Sequence, residues 1–414
     1  MPCGPRTSAR GAWARRVWLG GATFLLVVPS SSHAQPIGDP PDAGTGPDAG
    51  VPATSAGLAA PPVAGAPATL PASLVSAVVG VRSLLYAQNP NARDELDDIG
   101  ASGEVDVLLS GQAHRFVKWQ AGFIGVLGDA TDTSAALLDL VAKLELAGPL
   151  NLWLGRMPVP SDRTSLSTVW AMAAFTMPGR YGTFAPFPLA GSPPEPGPRR
   201  GVHDRADGVT LWGQVAGGRF KYYLGAFGLD QPALPPLYSG RLAVSLLAPE
   251  PGFRTSSSYL GTRKVLGLGL GAQHRARGSQ PAPGSTAPPD DFDELGGDFL
   301  LETGSESAGV FDLEAAFARL WGQNEVAKYQ YFVLASYLVP LDVGIGRFQP
   351  LFRLQHAERG SAEAAVDLTS IDAQLGYVID GHHARVSAGY QYSRIGGQPQ
   401  NAVLFGVQLL SKGR

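Results

Sequence analysis

From about Leu74 onward, apolar and polar residues alternate in short runs separated by Gly, Pro, Asn and Asp. A two-residue period places successive side chains on opposite faces of a strand, so the chain is built of β-strands with one greasy and one wet face. The pattern predicts sixteen of them: 76–87, 102–110, 114–127, 136–147, 150–156, 208–216, 219–228, 238–248, 264–274, 295–303, 308–319, 328–338, 344–357, 368–379, 382–392 and 401–410. Every second connection is short, as at Gly111-Gln-Ala113, Gly148-Pro149, Gly217-Gly218, Pro340-Leu-Asp-Val343 and Asp380-Gly381. The others are mostly longer and polar: 89–101, 157–207, 275–294, 358–367 and 393–400. In an up-and-down meander alternate connections lie on opposite rims, so this asymmetry predicts a transmembrane antiparallel β-barrel. One connection breaks the rule, the segment around 249–263 on the short-turn side.

Period alone does not say which face is outside. Strand number does. Sixteen strands close around a lumen too wide for wall side chains to fill, so the apolar face is expected to meet lipid and the polar face to line water. Tyr377, Tyr390 and Tyr392 suit an interfacial girdle. No apolar run of about eighteen residues follows the N-terminal region, so no membrane-spanning helix is expected.

The first thirty-four residues carry Arg6, Arg10, Arg15 and Arg16, then an apolar core and Ser32-His33-Ala34, the layout of a secretory signal peptide. Its removal takes four arginines and no acid, moving the formal charge from −3 to −7. It also takes Cys3, the one cysteine, so disulfides and thiolate metal sites are not expected. Residues 35–73 are mostly Pro, Ala and Gly and read as a periplasmic linker ahead of a barrel over 74–414. A mildly acidic chain gives no reason to expect nucleic acid.

The segment 157–207 is long for a loop in a compact domain, and such loops are usually functional. Folded into the lumen, it would form a constriction with Arg163, Arg180, Arg199, Arg200 and Arg205 against acids including Asp204 and Asp207. Alternation directs Lys118, Lys143, Arg241, Arg353 and Arg385 inward beside Asp312, Glu314 and Asp372, with Lys221, Glu104, Asp106, Asp139, Glu145, Asp298 and Glu302. Mixed signs do not commit the pore to one ion class. For the constriction arginines an equally weighted reading is that they pair with neighbouring acids or hold the loop to the wall.

Leu154-Gly-Arg-Met-Pro-Val-Pro160 and Gly208-Val-Thr-Leu-Trp-Gly213 resemble the strand and constriction-loop region of the phosphate-selective porin (O/P) family. Val265-Leu-Gly-Leu-Gly-Leu-Gly-Ala-Gln273 and the closing Tyr377 to Leu410 segments extend the resemblance over roughly 75–410. It implies a sixteen-stranded homotrimeric porin whose third long loop folds inside, with phosphate or other anions as solutes. The chain departs from that family in lacking a clear basic lining and in ending its last strand without an aromatic residue.

Other chemistry is thin. Adjacent His382 and His383, placed in a strand, would face opposite ways and share no metal. No spacing nominates a Ser–His pair, so an enzyme is not the expectation. Gly267-Leu-Gly-Leu-Gly271 precedes no helix and reads as wall packed closely against a loop, not as a nucleotide motif. Asp291 to Glu302 matches a calcium loop at several positions but lacks flanking helices. No cofactor is expected. The sequence reading is a diffusion porin in the outer membrane of a Gram-negative bacterium, passing small hydrophilic solutes and contacting lipid and lipopolysaccharide. The competing reading is a plugged structural or adhesive barrel.

Overall fold

The computed structural model describes residues 75–89, 98–127, 133–178, 205–228, 235–279, 286–305, 307–323, 327–361 and 367–412. The expected signal peptide and linker lie outside them. All sixteen expected strands form: β1 Val75–Gln88, β2 Asp98–His114, β3 Val117–Leu127, β4 Thr133–Ala147, β5 Leu150–Pro158, β6 Arg205–Val215, β7 Phe220–Phe227 and β8 Leu237–Ser245. They continue as β9 Val265–Ser279, β10 Asp290–Ser305, β11 Gly309–Trp321, β12 Ala327–Leu338, β13 Gly346–Arg359, β14 Leu368–Asp380, β15 Ala384–Ile395 and β16 Gln398–Leu410. A two-residue ladder, Asp342–Val343 against Gly346–Arg347, decorates one turn.

Each strand pairs antiparallel with its chain neighbours, and β1 closes the ring: Val81 sits opposite Val105 of β2 and Leu409 of β16. Closure leaves no free edge. Three expectations change. The turn expected at Gly111-Gln-Ala113 falls at Arg115-Phe116, because β2 keeps pairing with β3 out to His114. The 393–400 loop is a tight turn at Gly396-Gly397, both at positive φ (56° and 83°), so the last two strands run longer than their alternation suggests. Residues 382–383 lie in a turn, and β15 starts only at Ala384. The turn at Gly217-Gly218 has φ of 65° and 95°, the conformation that made glycine the expected occupant.

The outer face is apolar. Leu224, Leu242, Leu270, Phe317, Phe352 and Leu409 are all half-exposed, while Arg82, Arg241, Asp312, Arg353 and Asp372 on the same sheet point inward and are buried. In water that would be upside down. In lipid it is the stable arrangement, and the wall is that of an outer-membrane barrel. Near the rim of short turns Tyr222 donates to the Pro149 carbonyl (2.5 Å), Tyr337 to Ala308 (2.8 Å) and Tyr377 to Val343 (2.5 Å). Tyr390 and Tyr392 lie toward the other rim, so both ends of the wall carry amphipathic rings.

The inner face departs from the expected water lining. Val141, Trp153, Met157, Trp212, Tyr223 and Phe227 point inward and pack with Val159, Leu166 and Phe253 from chain segments inside the barrel. The lumen therefore holds a hydrophobic core of its own on the β4–β7 side.

Candidate functional site: two segments folded into the lumen

The first segment leaves β5 at Pro158 and is described to Pro178. Asp162 caps a single helical turn, Arg163–Leu166, accepting from the Ser165 N–H at 2.7 Å. A 3-10 turn follows at Val169–Ala171. Beyond it the backbone is irregular, and irregular backbone in a barrel needs partners from the wall. The wall supplies them mostly as arginines. Arg385 of β15 donates to the carbonyls of Met172 (2.6 Å) and Ala173 (3.2 Å). Arg353 of β13 donates to Thr176 O (2.8 Å), and Arg82 of β1 to Phe175 O. Gln374 of β14 accepts from the Phe175 N–H at 3.0 Å, and Gln408 of β16 donates to Trp170 O at 3.1 Å. Asp106 of β2 accepts from the Trp170 indole at 2.7 Å.

The second segment, 246–264, enters from the opposite rim. This is the connection too long for its side. Phe253 anchors it: the ring stacks on Trp153 with centroids 4.1 Å apart and meets Trp212 and Tyr223 edge-on at 5.5 and 5.3 Å. The Tyr223 hydroxyl donates to Phe253 O at 2.8 Å. Farther along, the amides of Tyr259 (2.5 Å) and Gly261 (2.6 Å) donate to Glu302 of β10. The Ser258 hydroxyl lies 3.2 Å from Asp312, and the Ser257 hydroxyl donates to Glu314, both on β11. His382 reaches in from its turn to the Ser258 carbonyl at 2.9 Å.

The two segments meet. Arg163 forms a bidentate pair with Glu250 at 2.7 and 2.8 Å and also donates to Ser256 O at 2.9 Å. The Thr255 N–H donates to Leu166 O (3.3 Å), and those of Ser257 and Ser258 to Ala171 O (both 3.2 Å). Burial alone would push the Glu250 carboxyl up, but the Arg163 guanidinium outweighs it and holds the acid well below the usual carboxylate range. The same pairing raises Arg163 against its own burial. Stability from Glu250 is thus present above its ordinary value of 4.5 and lost only as pH falls through its lower folded value. Burial and nearby Arg385 lower the His382 imidazole to about 4, so it too is neutral in mild acid. The tie between the segments is expected to survive pH 5, checked by equal thiol cross-linking of a Leu166→Cys, Thr255→Cys double variant at pH 7 and 5.

Strand β9 shows why its glycines are where they are. Gly267 and Gly271 face inward, and a Cβ on either would overlap Arg163 or the Ser161 carbonyl. Gly271→Ala is expected to cost about 1–3 kcal/mol because backbone must yield. Urea midpoints compared with Gly240→Ala, whose Cβ meets only ordinary contacts, check this.

Of the expected constriction residues, Arg163 lies in the lumen, paired as above. Arg205 begins β6 and pairs with Asp139 at 3.0 Å. Asp207 pairs with Arg156 at 2.8 Å on the face shared with exposed Val209, so it points away from the lumen. Arg180, Arg199, Arg200 and Asp204 lie outside the described residues. On the inner wall Lys118 pairs with Glu145 (2.7 Å), Lys143 donates to Gln120 (2.8 Å) and lies over the Trp153 ring, Arg241 pairs with Asp298, and Arg353 with Asp372 (2.6 Å). Asp312 and Glu314 hold the second segment and Arg385 the first. Asp291 to Glu302 runs as straight strand, not as a calcium loop. Phe253 and Glu250 escaped the sequence reading, although the misplaced length around them was visible.

No family model and no curated relative matches the chain. Solved structures do. Pseudomonas putida OprB aligns over 82% of this chain and 94% of its own at 10% identity, with TM-score 0.55. Salmonella typhi OmpF, solved with daunomycin, aligns over 81% and 97% at 10% identity with TM-score 0.54. Vibrio cholerae OmpT in its trimer form aligns over 81% and 99% at 14% identity with TM-score 0.50. With its closed wall, the chain has the sixteen-stranded fold of outer-membrane porins.

Proposed function

We propose that this barrel is a narrow passive channel for small hydrophilic solutes across the outer membrane of a Gram-negative bacterium. The observation that carries the reading is the tie between Arg163 and Glu250, which joins chain from both rims inside the lumen and so would limit its opening. Transport needs no covalent chemistry; aperture and local field decide what passes. Small anions such as phosphate are the favoured solutes, on the resemblance to the O/P porins. A homotrimer embedded in lipid and lipopolysaccharide fits the same resemblance, and the V. cholerae OmpT comparison is with a trimer. Residues 1–34 would be removed on export, leaving 35–73 as a periplasmic linker.

Planar-bilayer recording tests this: uniform ohmic steps are expected, and deletion of 162–200 is expected to enlarge them. A second reading, a plugged structural or adhesive barrel, is favoured by Arg82, Arg353 and Arg385, which serve chain inside the lumen. Silence from both the wild type and the deletion variant supports that reading instead.

A further inference from the structure

Resting on the channel reading, we infer that the solute path runs along the β1–β4 side of the lumen and that Arg254, carried in by the second segment, sets its preference for small inorganic anions. A cavity of about 40 Å3 lies here, where Asp106 of the wall, Thr168 and Trp170 of the first segment, Arg205 and Arg254 meet apolar side chains such as Val78 and Leu108. The β4–β7 side is closed by the aromatic cluster around Phe253. Toward β13–β16 the wall arginines are engaged with backbone carbonyls. At the cavity, two buried charged atoms have no hydrogen-bond partner among the described residues: Nη1 of Arg254 and Oδ1 of Asp106. Leaving such an atom dry is unfavourable, and a water or permeating ion in the cavity would offset that.

The local charge gives the sign. Arg254 and Arg205 both reach Asp139, at 2.9 and 3.0 Å. Gln120 links Asp139 to Lys143 through bonds of 2.9 and 2.8 Å. With the Arg82–Glu104 pair (3.7 Å), whose guanidinium lies 5.7 Å from the Trp170 ring, four cations among the described residues stand against Asp139, Asp106 and Glu104, an excess of one positive charge beside the cavity. Arg254 is the member that comes from the other rim, so selectivity depends on the second segment being seated.

The test is reversal potential across a salt gradient, on variants first shown to fold by heat-modifiable gel mobility. Arg254→Gln is expected to lower the chloride-to-potassium permeability ratio about threefold, and Arg254→Lys to keep it near wild type. The current of Thr168→Cys is expected to fall when a charged thiosulfonate is added, while Ser239→Cys, set against Pro160, is insensitive. Intact steps with an unchanged ratio in Arg254→Gln and no block of Thr168→Cys overturn the inference alone. Absence of steps in both the wild type and a chain lacking 250–262 overturns the channel reading and the inference with it.

Discussion

Phe253→Ala is expected to raise single-channel conductance about twofold or more while leaving the barrel folded. The ring lies against Trp153, Trp212 and Tyr223 inside the wall, and it is the one large apolar side chain the second segment contributes to that core. Cutting a buried phenylalanine to alanine costs about 3–5 kcal/mol. Here that loss falls on the seat of one segment, because the interstrand ladder does not involve Phe253. With the seat weakened, 246–264 is expected to leave the lumen for part of the time and the aperture to widen. Leu224→Ala, an outward change on β7, is the matched control and should leave conductance unchanged. Smaller or unaltered steps in Phe253→Ala would mean that the second segment does not limit the opening.

The second large effect is expected at the Arg163–Glu250 pair. Both groups are nearly inaccessible, at 2% and 3% side-chain exposure, and the pair is bidentate. Removing one partner strands a buried charge, and such losses run to about 3–5 kcal/mol. Glu250→Gln is expected to fall at the lower end, because it removes the charge and its one amide oxygen can still accept from either Ser245 or Tyr259, which now donate to different carboxylate oxygens. Arg163→Ala is expected to be worse, since Glu250 is then left buried without the cation that offsets its desolvation and Asp298 loses a neighbour. Replacing both by apolar residues of similar size should recover much of the loss, and a double-mutant cycle in urea gives the coupling. Equal, additive and small effects from the two single variants would show the pair to be incidental.

The wall was legible because its chemistry repeats every two residues. Ile371, Ala373 and Leu375 against Asp372 and Gln374 announces two faces, and strand number decides which meets lipid. The inward glycines 267 and 271 were legible as a place of close approach, and the positions of Ser161 and Arg163 show what approaches. What was not legible is long-range pairing. Arg163 and Glu250 are 87 residues apart, and no local pattern links a constriction arginine to a turn on the other rim. Arg353 and Arg385 look alike in alternation whether they face water or hold a carbonyl. A signal did exist for the inner core: Trp153, Trp212 and Tyr223 occupy inward positions on three consecutive strands, where water would be a poor neighbour. Together with an overlong connection on the short-turn rim, they point to a second segment inside.

The most direct measurement is a proximity cross-link between the segments. The one cysteine, Cys3, lies in the expected signal peptide, so paired cysteines at Leu166 and Thr255 would report without background. The backbones of these two residues are hydrogen-bonded, within reach of a short bifunctional thiol reagent. Treated in outer membranes, the double variant should cross-link as efficiently as a control pair at Ser83 and Val407, which face each other on β1 and β16. A cross-linked control beside an unlinked Leu166–Thr255 pair would contradict a lumen bridged from both rims.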